Sequence, residues 1–269
     1  MDGVYFDVKM NDVDRIEKNN VLIKAAEQAK AIIYQSTFSK KIVESILGIS
    51  PEYYEIINNG TDLNIFNPIG NNKREMLNIP DDNFVFITSA KWRSHKRLND
   101  IINIYSIVKK NTKLNTNLLI IGDTNQYCND DSVIFLRNIP NIEIPSYLRS
   151  ANCYLFLSWL DPCPNSVIEA IACNIPVICS NQGGTHEIIN LTCGGIVVDA
   201  DEDYDFKLCD LYNPPVVRLD VLVEAVLKLI NNYDFYKANI NSAAIDINQV
   251  AKKYYNFIEK INSIDHTNN

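Results

Sequence analysis

The chain has 269 residues, 46% of them hydrophobic and 22% charged, the balance of a globular protein able to bury a core. Its formal net charge of -8 excludes a general nucleic-acid or anionic-membrane surface, which needs excess Lys and Arg, but leaves room for a local basic pocket. The longest apolar runs, CYLFL and PVIC among them, fall far short of the roughly 20 residues that span a bilayer, and the acidic start MDGVYFDVKMNDVD carries no secretory signal.

From the N-terminus, a helical pattern covers 21–30, the run AIIYQ at 31–35 reads as a strand, and 39–47 reads as a second helix. The extended YYEII then leads into NNGTD at 58–62, where turn residues and a following Pro68/Gly70/Asn71 loop mark a boundary. Beyond it, strands are expected at 84–89, 118–121, 133–136, 153–157, 176–179 and 195–198, with helices at 98–110, 144–150, 166–173 and 185–190. Most of these strands are continuously apolar rather than alternating, as befits strands covered on both faces of a parallel sheet. The alternation predicts a doubly wound α/β sheet. Two helices close the chain. In 219–230, Asp220, Glu224 and Lys228 form a polar stripe on an otherwise apolar helix, and in 249–261 Tyr254, Phe257 and Ile261 share a face. Seven cysteines form no CxxC pair, and their odd number points to a reduced, cytoplasmic setting without structural zinc.

The stretch SWLDPCPNSVIEA, 158–170, follows a strand. Pro162 and Pro164 disfavour helix for the residues before them, so Asp161 and Cys163 are expected to be extended. Asn165 suits an N-cap, and SVIEAIAC continues as helix until Asn174 and Pro176 stop it. The helix start thus lies at the carboxyl edge of the sheet, where ligands bind, and its free N–H groups suit a phosphate. Glu169 sits roughly 6 Å along the helix axis and Asp161 on the other side of its start. Two acids flanking an anion point match a nucleoside diphosphate with a ribose at one end and a polyol at the other. The competing reading makes Asp161 a dipole partner worth about 0.3–1 kcal/mol, with Glu169 facing solvent.

The loop AKWRSHKRL, 90–98, places Lys91, Arg93, Lys96 and Arg97 at the same edge. Cations at a helix start oppose the helix dipole, so the cluster is either solvated or held there for a ligand such as a diphosphate. In NQGGTHEII, Gly183 and Gly184 follow a strand and permit close backbone approach to a ligand. His95, in the basic loop, is a better ligand candidate than His186, and His266 lies in the polar tail.

These elements occur in one order, AKAIIYQSTFSKKIVE, IINNGTDLNIFNP, WRSHKRL, LLIIGD and the block from IPSYLRSANCYLFLSWLDPCPNSVIEA to GGTHEII. The combination resembles the family-four retaining glycosyltransferases, which have a GT-B fold of two Rossmann-like domains. The block resembles that family's E-x7-E signature with the EA-x-A-C-x-x-P-V-I and GG-x-x-E runs behind it. The resemblance implies that Glu169 binds the nucleotide ribose and Asp161 faces the donor sugar, while Lys96, with Arg93 or Lys91, neutralises the diphosphate. Asp161, Lys96 and Arg93 are then the catalytic candidates. Lys91, Glu169, Asn165, Ser166, Val167, Gly183 and Gly184 complete a donor site that needs neither metal nor cofactor, the nucleotide-sugar being a substrate.

The chain departs from the family at two points. The leading acid is Asp161 rather than Glu, shorter by about 1.5 Å, and an error near 1 Å can cost roughly a hundredfold in rate. The family's basic pair is five positions apart, which fits Lys91 and Lys96, whereas the Trp-Arg context favours Arg93. The resemblance also implies that 1–57 is a remnant of an acceptor-side domain, 58–245 the nucleotide-sugar domain, and 246–269 a crossover helix and polar tail. A second polypeptide or a self-dimer is expected to complete the first of these. A non-catalytic nucleotide-sugar-binding or assembly subunit is the alternative function, and an epimerase of related fold a third.

Overall fold

The computed structural model describes residues 3–267; residues 1, 2, 268 and 269, in the two predicted terminal segments, lie outside the described residues. The first part of the chain runs α1 (Asp12–Gln28), β1 (Ile32–Tyr34), α2 (Thr37–Leu47) and β2 (Tyr54–Ile56), with β1 and β2 paired in parallel. There follow β3 (Phe84–Ser89), α3 (Leu98–Asn111), β4 (Thr116–Ile121), β5 (Val133–Leu136), α4 (Ile144–Leu148), β6 (Cys153–Phe156), α5 (Asn165–Ala172), β7 (Val177–Ser180), α6 (Thr185–Thr192) and β8 (Gly195–Val198). Helices α7 (Leu219–Asn231), α8 (Tyr233–Ala238) and α9 (Ile247–Thr267) close the chain.

The large sheet is parallel, in the order β5-β4-β3-β6-β7-β8. Its apolar strands are covered on both faces, as their composition demands. Val85, Ile87, Tyr154 and Val177 pack toward Val167 and Ile171 of α5 and Ile188 of α6. Their neighbours Phe86, Leu155 and Ile178 pack toward Ile101 and Tyr105 of α3 and Leu222 and Val226 of α7. The chain lays down β3, β4 and β5 outward in one direction, then returns to place β6 on the other side of β3. This reversal lies between β3 and β6, which pair only through Phe86↔Cys153 and Ile87↔Tyr154, so the loops leaving their carboxyl ends diverge around a crevice. Among the described residues no helix is long and apolar enough to cross a membrane.

Four expectations are corrected. YYEII is a strand, not merely extended, because Tyr54 to Ile56 pair with β1. The first helix starts at Asp12 rather than 21, although only Asn19 of it is buried. Capping explains the early start: Asn11 Oδ1 accepts the N–H groups of Val13 and Asp14, and Asp12 and Asp14 complement the dipole. Helix α8 lacked a periodic signal, and α9 begins before and ends beyond its predicted bounds.

The basic loop is the fourth correction, since its cations do not stay together. Arg97, with positive φ before α3, turns inward to Asp201, Nη2 to Oδ1 2.6 Å, with side-chain exposures of 1% and 0%. Its Nη2 also donates to the carbonyl of Pro215 at 2.9 Å. Burial thus consumes one of the four cations that seemed offered to a ligand. Removing one member of a buried pair strands the other, at a cost of about 3–5 kcal/mol. Asp201→Ala should therefore lower the urea unfolding free energy by about that much, and Arg97→Met with Asp201→Leu should recover most of the loss. Single variants as stable as the wild type would show that the pair is solvated.

Candidate functional site

A cleft of about 440 Å³ opens at the reversal between β3 and β6. The end of β3 contributes Ser89, the loop behind it Lys91 and Lys96, the turn after β6 Asp161, and α5 its residues Asn165, Ser166 and Glu169. Six predicted site residues, scattered over 79 positions from 91 to 169, therefore meet in one place.

At its centre, Lys96 Nζ lies 2.6 Å from Asp161 Oδ2, both side chains largely but not wholly shielded. The short 3₁₀ turn Ser94–Lys96 brings the lysine round, and the backbone N–H of Trp159 bonds the carbonyl of His95 at 2.8 Å, pinning the basic loop to the acidic turn. Leu160, at φ 59°, reverses the chain just before Asp161. The glycine pair holds this turn from behind. Gly184 N–H donates to the Asp161 carbonyl at 2.8 Å, and a Cβ on Gly184 would stand 1.9 Å from the Pro162 carbonyl oxygen. Gly183, at φ 79°, would place a Cβ 2.6 Å from the carbonyl oxygen of Asp161. The close backbone approach that both glycines permit is made by the Asp161 turn itself.

Asn165 is the first residue of α5 rather than its N-cap; Pro164 holds the cap position, without a side-chain cap. The Asn165 side chain is engaged elsewhere, accepting from Asn59 Nδ2 at 2.9 Å. The N–H groups of Val167 and Ile168 turn back to the Pro164 carbonyl, at 3.2 and 3.4 Å, whereas those of Asn165 and Ser166 meet no protein acceptor among the described residues. Val167 itself is core, its side chain fully buried under the sheet. Its place in the donor set was wrong as far as its side chain goes, because the apolar face of α5 turns it away from the cleft.

Glu169 lies one turn further along α5 and does not face open solvent. Burial pushes its carboxyl up to about 7. Beside it, Tyr154 lies under the cleft floor, its hydroxyl 2.8 Å from Ser89 Oγ. Burial also raises the phenol to about 12. Sequence reasoning missed Ser89, Tyr154, Asn138 and Asn141: the first two stand in apolar strand runs and the others in a loop without a motif.

Three candidates fall elsewhere. Arg93 lines the neighbouring cleft of about 680 Å³ with Trp92 and Asp123, so Lys91 and Lys96 are the basic pair the geometry assembles. His95 does not line the site. Burial first, then Lys96 and Arg93, lower it to about 4, which keeps the ring neutral near pH 7. His186 borders a third cleft, beyond Gly183.

The family profile described as "Glycosyl transferases group 1" matches residues 70–208. An uncharacterized glycosyltransferase of Methanocaldococcus jannaschii, MJ1059, is 26% identical over 262 residues, spanning 86% of this chain. The capsular polysaccharide biosynthesis glycosyltransferase CapM of Staphylococcus aureus is 26% identical over 223 residues, 78% of this chain and 52% of its own. The chain spans 64% of the length of the M. jannaschii relative. Among solved structures, sucrose-phosphate synthase of Thermosynechococcus elongatus superposes with a TM-score of 0.71 at 18% identity, covering 95% of this chain and 64% of that one. Anabaena HepE in complex with UDP-glucose gives 0.70 at 15%, covering 97% and 71%. At these identities the structural likeness establishes the fold, that of GT-B glycosyltransferases.

The raised carboxyl of Glu169 makes stability depend on pH in a stated direction. Between the ordinary value of 4.5 and about 7 the folded chain holds a proton that the unfolded chain has released. The contribution is full below the lower value and is lost as pH rises through the upper one. Relative to Glu169→Gln, the wild-type melting temperature should therefore fall between about pH 5 and pH 8. Parallel melting profiles for the two proteins would contradict it.

Proposed function

The chain belongs to the glycosyl transferases group 1 family, and from that premise we propose that it transfers a sugar from a nucleotide-diphosphate-sugar to a glycan or other acceptor, with retention of anomeric configuration. The observation that carries this reading is the cleft at the strand reversal, where Lys91 and Lys96 face two acids across the open start of α5. A diphosphate at the N–H groups of Asn165 and Ser166 lies within the field of both lysines, and Glu169, one turn further along α5, is placed to accept hydrogen bonds from the ribose hydroxyls. Anabaena HepE has been solved with UDP, with UDP-glucose and with UDP and glucose, which makes a uridine donor the natural first probe.

Without donor, Lys96 and Asp161 neutralise each other at 2.6 Å. An arriving diphosphate competes for Lys96, and the released carboxylate of Asp161 turns to the sugar. As the bond to the sugar breaks, charge grows on the leaving diphosphate, and fixed cations stabilise it without reorganising. The reading calls for no metal, because the lysines and amides carry that role. Within 1–57, the described residues Phe6 and Phe38 pack with Trp159 and Leu160 beside the turn after β6, and this segment forms the acceptor-side wall.

The alternative is a non-catalytic nucleotide-sugar-binding subunit. The short side chain of Asp161 and its tie to Lys96 are the features that favour it.

Lys96→Ala and Glu169→Ala should each weaken UDP binding by about 10–100-fold in calorimetry, the loss of a charge-assisted hydrogen bond. Asp161→Ala should leave UDP binding equal or tighter, since it releases Lys96, while lowering donor hydrolysis or transfer about a hundredfold or more. UDP binding that survives both of the first two changes would sink the donor site. Wild-type binding without hydrolysis or transfer on any donor would select the non-catalytic reading.

A further inference from the structure

Beyond Gly183 a cleft of about 350 Å³ separates α2 from α6 and from the loop after β8, within the size range of small-molecule sites. Its lining includes His186 and Glu187, the acid that ends the GG-x-x-E run and has no part in the donor cleft. Glu187 Oε2 accepts the N–H of Thr37 at 2.8 Å and Oε1 that of Phe38 at 3.0 Å. With Ser36 Oγ accepting the N–H of Ser39 at 2.9 Å, the start of α2 is fastened to α6. The two walls are thus held at a fixed separation.

One wall is aromatic. The rings of Tyr204 and Phe206, both half-buried, lie 5.3 Å apart at 50°, and Phe38 backs Phe206 at 5.7 Å. The other wall is amide and imidazole, from Asn181, Gln182 and His186. The charges bordering the space are mixed in sign: Lys41 Nζ stands 5.7 Å over the Phe206 ring, Asp203 accepts from Gln182 Nε2 at 3.3 Å, and Glu187 is spent on α2. One cation among two carboxylates gives no single-sign field to select a phosphate or a cation. Asn181 Oδ1 and His186 Nδ1, both buried, have no hydrogen-bond partner among the described residues, so the polar wall is not closed on itself. An uncharged ligand with many hydroxyls and an apolar C–H face fits such a surface: the face packs on the aromatic rings and the hydroxyls both donate to and accept from amides and imidazole.

The cleft adjoins the reacting centre. Gly183 lines it on one side and meets the Asp161 backbone on the other, and Gly184 N–H donates to the Asp161 carbonyl at 2.8 Å. We propose that this cleft is a saccharide subsite for the acceptor, with a sugar ring on Tyr204 and Phe206 and its hydroxyls held by Asn181, Gln182 and His186. The acceptor role rests on the glycosyl-transfer reading, whereas the binding of a saccharide there does not.

The test is a titration of isotope-labelled full chain, followed by NMR, with the methyl glycosides of glucose, galactose, mannose and N-acetylglucosamine, and separately with UDP. At least one glycoside should shift the side-chain amide signals of Asn181 and Gln182 and the ring signals of His186. Gln182→Ala and Tyr204→Ala should each weaken that glycoside about tenfold, leaving UDP affinity within about twofold. Gln182 lies on a loop, so its variant stays informative if Tyr204→Ala does not fold. Should none of the four glycosides shift these signals, or should the shifts persist unchanged in Gln182→Ala, the subsite is wrong. Glycoside binding without UDP binding would instead remove the donor reading and leave the subsite standing.

Discussion

Everything at the candidate site depends on β6 lying beside β3. In a parallel sheet every strand delivers its following loop to the same edge, but only at a reversal of strand order do two such loops splay apart instead of covering each other. Here the pairing of β3 with β6 spans just Phe86↔Cys153 and Ile87↔Tyr154. The loop carrying Lys91 and Lys96 and the turn carrying Asp161 leave from either side of that seam. The apolar strands secure the arrangement, since Val85 and Tyr154 face one helical layer while Phe86 and Leu155 face the other. A shift in register by one residue would exchange these faces and move the lysines with them.

Burial then sorts the charges that the loops bring together. Arg97 goes into the protein with Asp201, Arg93 turns to a neighbouring cleft, and Lys96 stays at the reversal with Asp161. Four consecutive-looking cations thus have three different fates. Glu169 takes the opposite course from an exposed helical acid: enclosed one turn into α5, its carboxyl is pushed up by burial.

The ends of the chain are tied to the same turn. Residues 58–61 run between Cys163, whose sulfur accepts from Asn59 N–H, and the start of α9, where Thr61 pairs with Asp246. From the other side, Glu187 caps α2 three residues after the glycine that bonds Asp161. Gly183, which lines the aromatic cleft, therefore lies directly against the backbone of Asp161, which lines the donor cleft.

The sequence by itself determined the doubly wound sheet, because continuous apolar runs such as FVFITS and CYLFL have no other stable setting than two-sided cover. It also determined the helix start after Pro164 and the residues able to meet an anion there, since proline geometry and side-chain chemistry are local. Its limits are equally local. The polar first half of α1 and the strand YEI lack periodic apolar signals, one resting on the Asn11 cap and the other on pairing with β1. Only the tertiary structure decided that Arg97 is a core ion pair while Lys96 faces a cleft, that Asn165 bonds Asn59 instead of capping its helix, and that Gly183 and Gly184 make room for the Asp161 turn. Each of these depends on a partner distant in the chain, such as Asp201, Asn59 or Pro162, and sequence spacing carries no record of which distant residue will be near.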